Sequence, residues 1–144
     1  MNNYLFDLFV PASQELSDMA LAFMRIGIGV LTIGHGLPKI MGGTAVWRSL
    51  GGVMGVLGIH FLPTLWGFLA ACAEFFGGIA LTLGLGTRIA AFFLSCMMIV
   101  AFMMHKNNKD DFTVYSFALS MLVIFLSFMV MGGGVWSVDM YLTR

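Results

Sequence analysis

The stretch Leu69–Arg88, LAACAEFFGGIALTLGLGTR, holds one carboxylate, Glu74, among apolar and small residues, with no other charge until Arg88. Counted from Phe61, the apolar run reaches Leu85. At about 1.5 Å per residue it crosses a hydrocarbon core of about 30 Å, with Glu74 near the middle. A carboxylate at that depth costs about 2.5–3.5 kcal/mol on insertion scales, so it demands a proton, a partner or a wet cavity. Any function assigned to the chain has to account for Glu74.

The surrounding composition sets the class. Of 144 residues, 60% are hydrophobic and 10% charged, whereas charged residues make up about a quarter of soluble globular chains. The chain reads as an all-α polytopic membrane protein, a single domain over residues 1–144. Net charge is zero and there is no basic run, which argues against nucleic acid as a partner. Cys72 and Cys96 both lie in apolar segments, so neither a disulfide framework nor a zinc site is expected. The methionine-rich tracts Cys96–Met98 and Phe102–Met104 place neighbouring sulfurs on different sides of a helix, and no metal site is assigned.

Four spans are expected, at Met19–Leu37, Phe61–Leu85, Thr87–Met104 and Phe112–Met131. Ser17 or Asp18 is the expected N-cap of the first, and Pro38 with Gly42 and Gly43 its expected end. Between spans one and two, Thr44–Gly58 is too short and glycine-rich to cross and reads as a short interfacial or re-entrant helix. Asn2–Pro11 reads as lying on the interface, with Tyr4, Phe6 and Phe9 as anchors. The acidic first eighteen residues lack the basic region of a signal peptide, so the first span is expected to act as its own insertion signal. Gly84–Thr87 is a tight turn that makes spans two and three antiparallel neighbours, and Trp136–Asp139 reads as an interfacial cap on the last helix.

An even number of spans puts both termini on one side. That terminal face carries Arg88 and Arg144, and the opposite, loop face carries Lys39, Arg48, Lys106 and Lys109. The positive-inside rule then sets the loop face in the cytoplasm and the termini outside.

Arg25 and Glu74 lie about 9 and 16 Å from the terminal face at the helical rise, a difference that a long arginine side chain can bridge if the first two spans pack together. Two readings follow: an Arg25–Glu74 pair lining a polar pocket for a ligand or a proton, or a pair that only fixes helix register. Asp139 competes for Arg25 or Arg88. His35 and His105 sit at matching depth near the loop face, beside Lys39 and Lys106. They read as interfacial side chains in preference to axial ligands of a haem. His60 lies in the loop leading into span two. The small-residue face Ala73–Gly77–Gly78 permits close helix contacts, including those of a homodimer.

Arg25-Ile-Gly-Ile-Gly29, Gly34-His-Gly-Leu-Pro-Lys39, Leu57-Gly-Ile-His-Phe-Leu-Pro63, Ala73-Glu-Phe-Phe-Gly-Gly-Ile-Ala-Leu81, Gly84-Leu-Gly-Thr-Arg88 and Trp136-Ser-Val-Asp139 follow one another in order. Together they resemble the DoxX family of small bacterial membrane proteins. The resemblance implies a four-helix membrane bundle in the bacterial inner membrane. It also implies a redox setting, since relatives form the membrane subunit of a thiosulfate:quinone oxidoreductase. A quinone-like or other lipophilic ligand near Arg25, Glu74, His35 and Lys39, with a soluble or membrane partner subunit, is the function expected on that resemblance. Arg88 and Asp139 are the expected structural polar residues. The chain departs from the family pattern at Ser116, where a glutamate is frequent, and it carries no redox-cofactor motif. A proton-coupled carrier or pore, or a scaffold for a membrane complex, are the alternatives.

Overall fold

The computed structural model describes residues 13–143, and the expected interfacial stretch Asn2–Pro11 lies outside them. Four long helices dominate: α1 (Gln14–Met41), α3 (Pro63–Leu83), α4 (Thr87–Asn107) and α5 (Phe112–Met131). All four are long and apolar enough to cross a membrane. A short helix, α2 (Gly43–Gly52), and a 3-10 turn (Val53–Leu57) fill the interval between spans one and two, and a five-residue helix, α6 (Val138–Leu142), follows the last span. Among the described residues there is no strand.

The first span is longer than the sequence predicts at both ends. Its N-cap is Ser13, whose Oγ accepts from the Leu16 N–H at 3.4 Å, so neither Ser17 nor Asp18 starts the helix. Pro38 does not end it either: the helix runs on to Met41. A proline removes one backbone donor and crowds the carbonyl four residues back, and the helix keeps only three residues beyond it. The true break is Gly43, whose φ of +71° turns the chain into α2.

Glycine sets how the helices meet. α1 packs along α3, and α4 along α5. In the α1–α3 crossing a Cβ at Gly29 would lie 2.9 Å from the Gly78 carbonyl oxygen, and one at Gly36 would lie 2.6 Å from the Phe75 nitrogen. α2 lies on the first turns of α3 just as closely: a Cβ on Gly51 would fall on the Pro63 carbonyl oxygen, and one on Gly67 on that of Trp47. Without a hydrophobic drive inside lipid, such backbone-to-backbone contact supplies the dispersion energy of helix association. The indole N–H of Trp47 donates to the Lys39 carbonyl at 2.9 Å, tying α2 to the end of α1.

The α1–α3 and α4–α5 pairs meet along α3 and α4, which the predicted turn joins: Gly84 and Gly86 have φ of +71° and +59°. Leu21, Leu81, Ala90, Ala91, Leu94, Phe125 and Phe128 form a buried apolar cluster. It fills the half of the bundle toward the terminal face. The half toward the loop face is built differently, with a cavity between the helix pairs.

Candidate functional site

Two polar constellations occupy opposite ends of the bundle. At the terminal face Arg25 is 1% exposed, and each of its hydrogen-bond partners is a backbone carbonyl. Its Nε donates to Gly133 at 3.2 Å and its Nη2 to Trp136 at 2.7 Å, while Nη1 donates to Leu81 and, at 2.8 Å, to Thr82. The last carbonyls of a helix lack intrahelical partners and carry the negative end of its dipole. The guanidinium fork therefore stitches the end of α3 to the segment after α5. The expected Arg25–Glu74 pair does not form. Glu74 lies seven residues before Leu81, about 11 Å along α3, and the carbonyls stand nearer.

Asp139 is paired with neither Arg25 nor Arg88. Its Oδ1 accepts from the Gly86 N–H at 2.6 Å and its Oδ2 from the Thr87 N–H at 3.0 Å, while its own N–H donates to the Gly84 carbonyl at 2.9 Å. Trp136–Asp139 thus caps the third span and not the last helix, as the sequence had suggested. Burial works to raise the Asp139 carboxyl, but the Thr87 and Gly86 N–H groups and the charge of Arg25 outweigh it and hold the group below its ordinary value. Arg88 donates to the Val130 carbonyl at 3.2 Å on the surface.

Toward the loop face, a cavity of about 190 Å³ lies between the two helix pairs. Thr32, His35 and Lys39 of α1 line it with Glu74 of α3; Leu94, Met98 and His105 of α4 and Phe117, Met121 and Phe125 of α5 complete it. Lys39 Nζ lies 2.5 Å from Glu74 Oε2, with the glutamate side chain 7% exposed and the lysine side chain 33%. The long lysine stem carries its charge inward from the loop face, and this contact answers the demand made by Glu74. Opposite it, His105 Nδ1 lies 2.7 Å from Asp110 Oδ2. The His35 and Phe117 rings stand 6.2 Å apart where α1 faces α5.

Of the residues singled out from sequence, the structure brings His35, Lys39 and Glu74 together with His105, and it leaves Arg25, Arg88, Asp139 and His60 elsewhere. Lys39 as the partner of Glu74 was missed, although the signal exists. The buried positions Leu21, Arg25, Gly29, Thr32 and Gly36 of α1 step by three and four residues, and the next step lands on Lys39. Asp110 was missed outright. Ser116, where the family pattern often has an acid, donates to the Thr113 carbonyl at 3.1 Å and does not line the cavity. The cavity, at about 190 Å³, lies below the about 300–1,000 Å³ of drug-sized ligand sites. Among the described residues no group of three His, Cys, Asp or Glu could hold a metal ion.

The fold and this cavity define a four-span, all-α membrane protein with an ionisable pocket between its helix pairs. The DoxX family model matches residues 20–107, and the chain belongs to that family. It is 29% identical over 136 residues to the inner membrane protein YqjF of Escherichia coli K12, covering 91% of this chain and 98% of that one. It is 34% identical over 125 residues to an uncharacterized protein of Haemophilus influenzae, covering 83% and 87%. No solved structure matches the chain.

Proposed function

We propose that this DoxX protein binds a small lipophilic ligand with a polar head in the cavity beside Lys39 and Glu74, as a non-autonomous membrane subunit of a quinone-linked redox system. One observation carries the binding reading: an ion pair, two histidines and Thr32 share a cavity whose apolar walls include Leu94, Met98, Phe117, Met121 and Phe125. Apolar walls with a few convergent polar groups are the usual form of a small-molecule site. An apolar cavity of about 150 Å³ holds one benzene ring, so about 190 Å³ suits a single-ring head such as that of a quinone. The redox setting rests on the family resemblance alone. Arg25, held by carbonyls, has no part in this site. The name of the E. coli relative supports an inner-membrane location, and Lys39, Arg48, Lys106 and Lys109 support a cytoplasmic loop face.

Extraction and native mass spectrometry of purified wild type beside Glu74→Gln test the reading. A lipophilic redox molecule retained by wild type and lost in the variant supports it. Ordinary phospholipid alone in both overturns it and favours transport or scaffolding. Proton-coupled uptake into liposomes that disappears in Glu74→Gln then identifies a carrier.

A further inference from the structure

The loop between α4 and α5 is built to hold one side chain of the cavity. Lys109 has φ of +60°, a left-handed conformation that a residue with a Cβ seldom adopts. It closes a Schellman turn at the end of α4: the Lys109 N–H donates to the Lys106 carbonyl at 3.2 Å and the Asp110 N–H to the His105 carbonyl at 3.0 Å. A strained residue persists where its surroundings over-determine it, and here the turn folds Asp110 back onto His105. The two residues are joined twice, through the backbone and through the 2.7 Å contact of Oδ2 with Nδ1.

An ionised carboxylate only accepts hydrogen bonds, so its contact places the imidazole proton on Nδ1. In the neutral ring Nε2 is then an acceptor, and among the described residues it has no partner. His105 lines the cavity. Glu74 likewise engages Lys39 through Oε2 alone. His35 and Lys39 from α1 and Glu74 from α3 line the same cavity; Lys106 follows His105 on its own helix, with its Nζ 5.5 Å from the centre of the Tyr115 ring of α5, and Lys109 and Asp111 flank Asp110 in the loop.

We propose that Asp110 is a positioning residue that fixes His105 as a hydrogen-bond acceptor of the cavity, so that the site selects a single ring bearing a hydroxyl, or another O–H or N–H donor, over the same ring without one. This rests on the cavity being a ligand site. It adds the chemical class of the ligand and the residue that sets it.

Nitrogen-15 NMR of histidine-labelled protein at pH 8 reads the tautomer without any ligand, with His35, His60 and His105 assigned by single replacement. His105 is expected as the Nδ1–H form in wild type and in Asp110→Glu. In Asp110→Asn it is expected to pass to the Nε2–H form, because the amide offers a donor as well as an acceptor. In detergent, 4-methylphenol is expected to bind wild type about tenfold more tightly than 4-methylanisole, the worth of one hydrogen bond. That preference disappears in Asp110→Asn and returns in Asp110→Glu. An Nε2–H tautomer in wild type, or equal binding of the two rings, overturns the proposal. Binding of neither ring beside an intact Nδ1–H tautomer overturns the ring-binding reading of the cavity, and the ligand class with it.

Discussion

Lys39 and Glu74 sit on neighbouring helices and meet at 2.5 Å with their burial unequal: the glutamate side chain is 7% exposed and the lysine side chain 33%. The inequality makes the two charges respond differently to loss of the partner. Without Glu74, the lysine stem can swing its ammonium back toward the loop face. Without Lys39, the carboxylate stays at depth with no cation beside it.

Lys39→Met is therefore expected to destabilise the protein more than Glu74→Gln. Breaking a buried pair from one side costs about 3–5 kcal/mol, and Lys39→Met should approach that range. Glu74→Gln should cost about 1–2 kcal/mol, nearer the value of a lost hydrogen bond. The double variant should be more stable than Lys39→Met alone. Reversible unfolding in mixed micelles measures all three, and equal costs for the two single changes would count against this assignment of depth.

Arg25 makes a sharper case, because its work depends on the shape of guanidinium. It reaches carbonyls on α3 and on Gly133 and Trp136 at once, which the three donors of a compact ammonium do not match. Arg25→Lys is expected to loosen the segment after α5 and so to expose the Gly86 and Thr87 amides that Asp139 covers. Their hydrogen exchange should quicken by about tenfold, the equivalent of one hydrogen bond, while amides in the middle of α5 keep their wild-type rates. Uniform acceleration throughout the protein would instead mean global destabilisation.

Asp139 supplies a pH dependence of known sign. Its carboxyl is held below its ordinary value in the folded protein, so the unfolded chain takes up its proton first as pH falls. The stability it contributes is fully present above the unfolded value of about 3.9 and is lost as pH falls through the lower, folded value. Asp139→Asn should remove that part of the acid limb and leave stability between pH 6 and 8 with no slope from this site. Unfolding midpoints taken from pH 6 down to 3 measure it; superimposable wild-type and variant slopes would contradict the cap.

Much of this architecture is legible in the sequence. The final span falls on Phe112–Met131 as read, and the glycines of Gly84–Thr87 mark their turn because that backbone needs positive φ. What escapes has a common physical cause. Arg25 takes acceptors that every residue possesses, so no side chain in the sequence announces its partners. Asp139 likewise meets backbone donors on a helix fifty residues away in sequence. Pro38 reads as a terminator by its chemistry, yet the helix runs three residues past it before Gly43 turns the chain. Lys39 is legible as a site residue but its pairing with Glu74 is not, because position along the chain suggests the membrane surface while the length of its side chain lets it reach the carboxylate.

The closest helix approaches yield the last prediction. At Gly51 and Gly67 the space for a Cβ is already filled by the backbone carbonyls of Pro63 and Trp47, which cannot rotate away as a side chain can. At Gly27 and Gly34 of α1 a Cβ would meet nothing within 4 Å. Gly51→Ala and Gly67→Ala should each push α2 off α3 and cost at least the about 1–3 kcal/mol typical of overpacking. Gly27→Ala and Gly34→Ala should be neutral or slightly stabilising, since alanine is favoured over glycine within a helix by about 1 kcal/mol. Because Trp47 of α2 also holds the Lys39 carbonyl, displacing α2 should loosen the end of α1 that carries Lys39 toward Glu74. In the two crossing variants, loss of stability should therefore come with loss of the ligand binding proposed for the cavity, whereas Gly27→Ala and Gly34→Ala should leave that binding as in wild type. Thermal unfolding and native mass spectrometry of the four variants side by side decide the matter, and a tolerated alanine at Gly51 would show that the α2–α3 contact is looser than the backbone geometry requires.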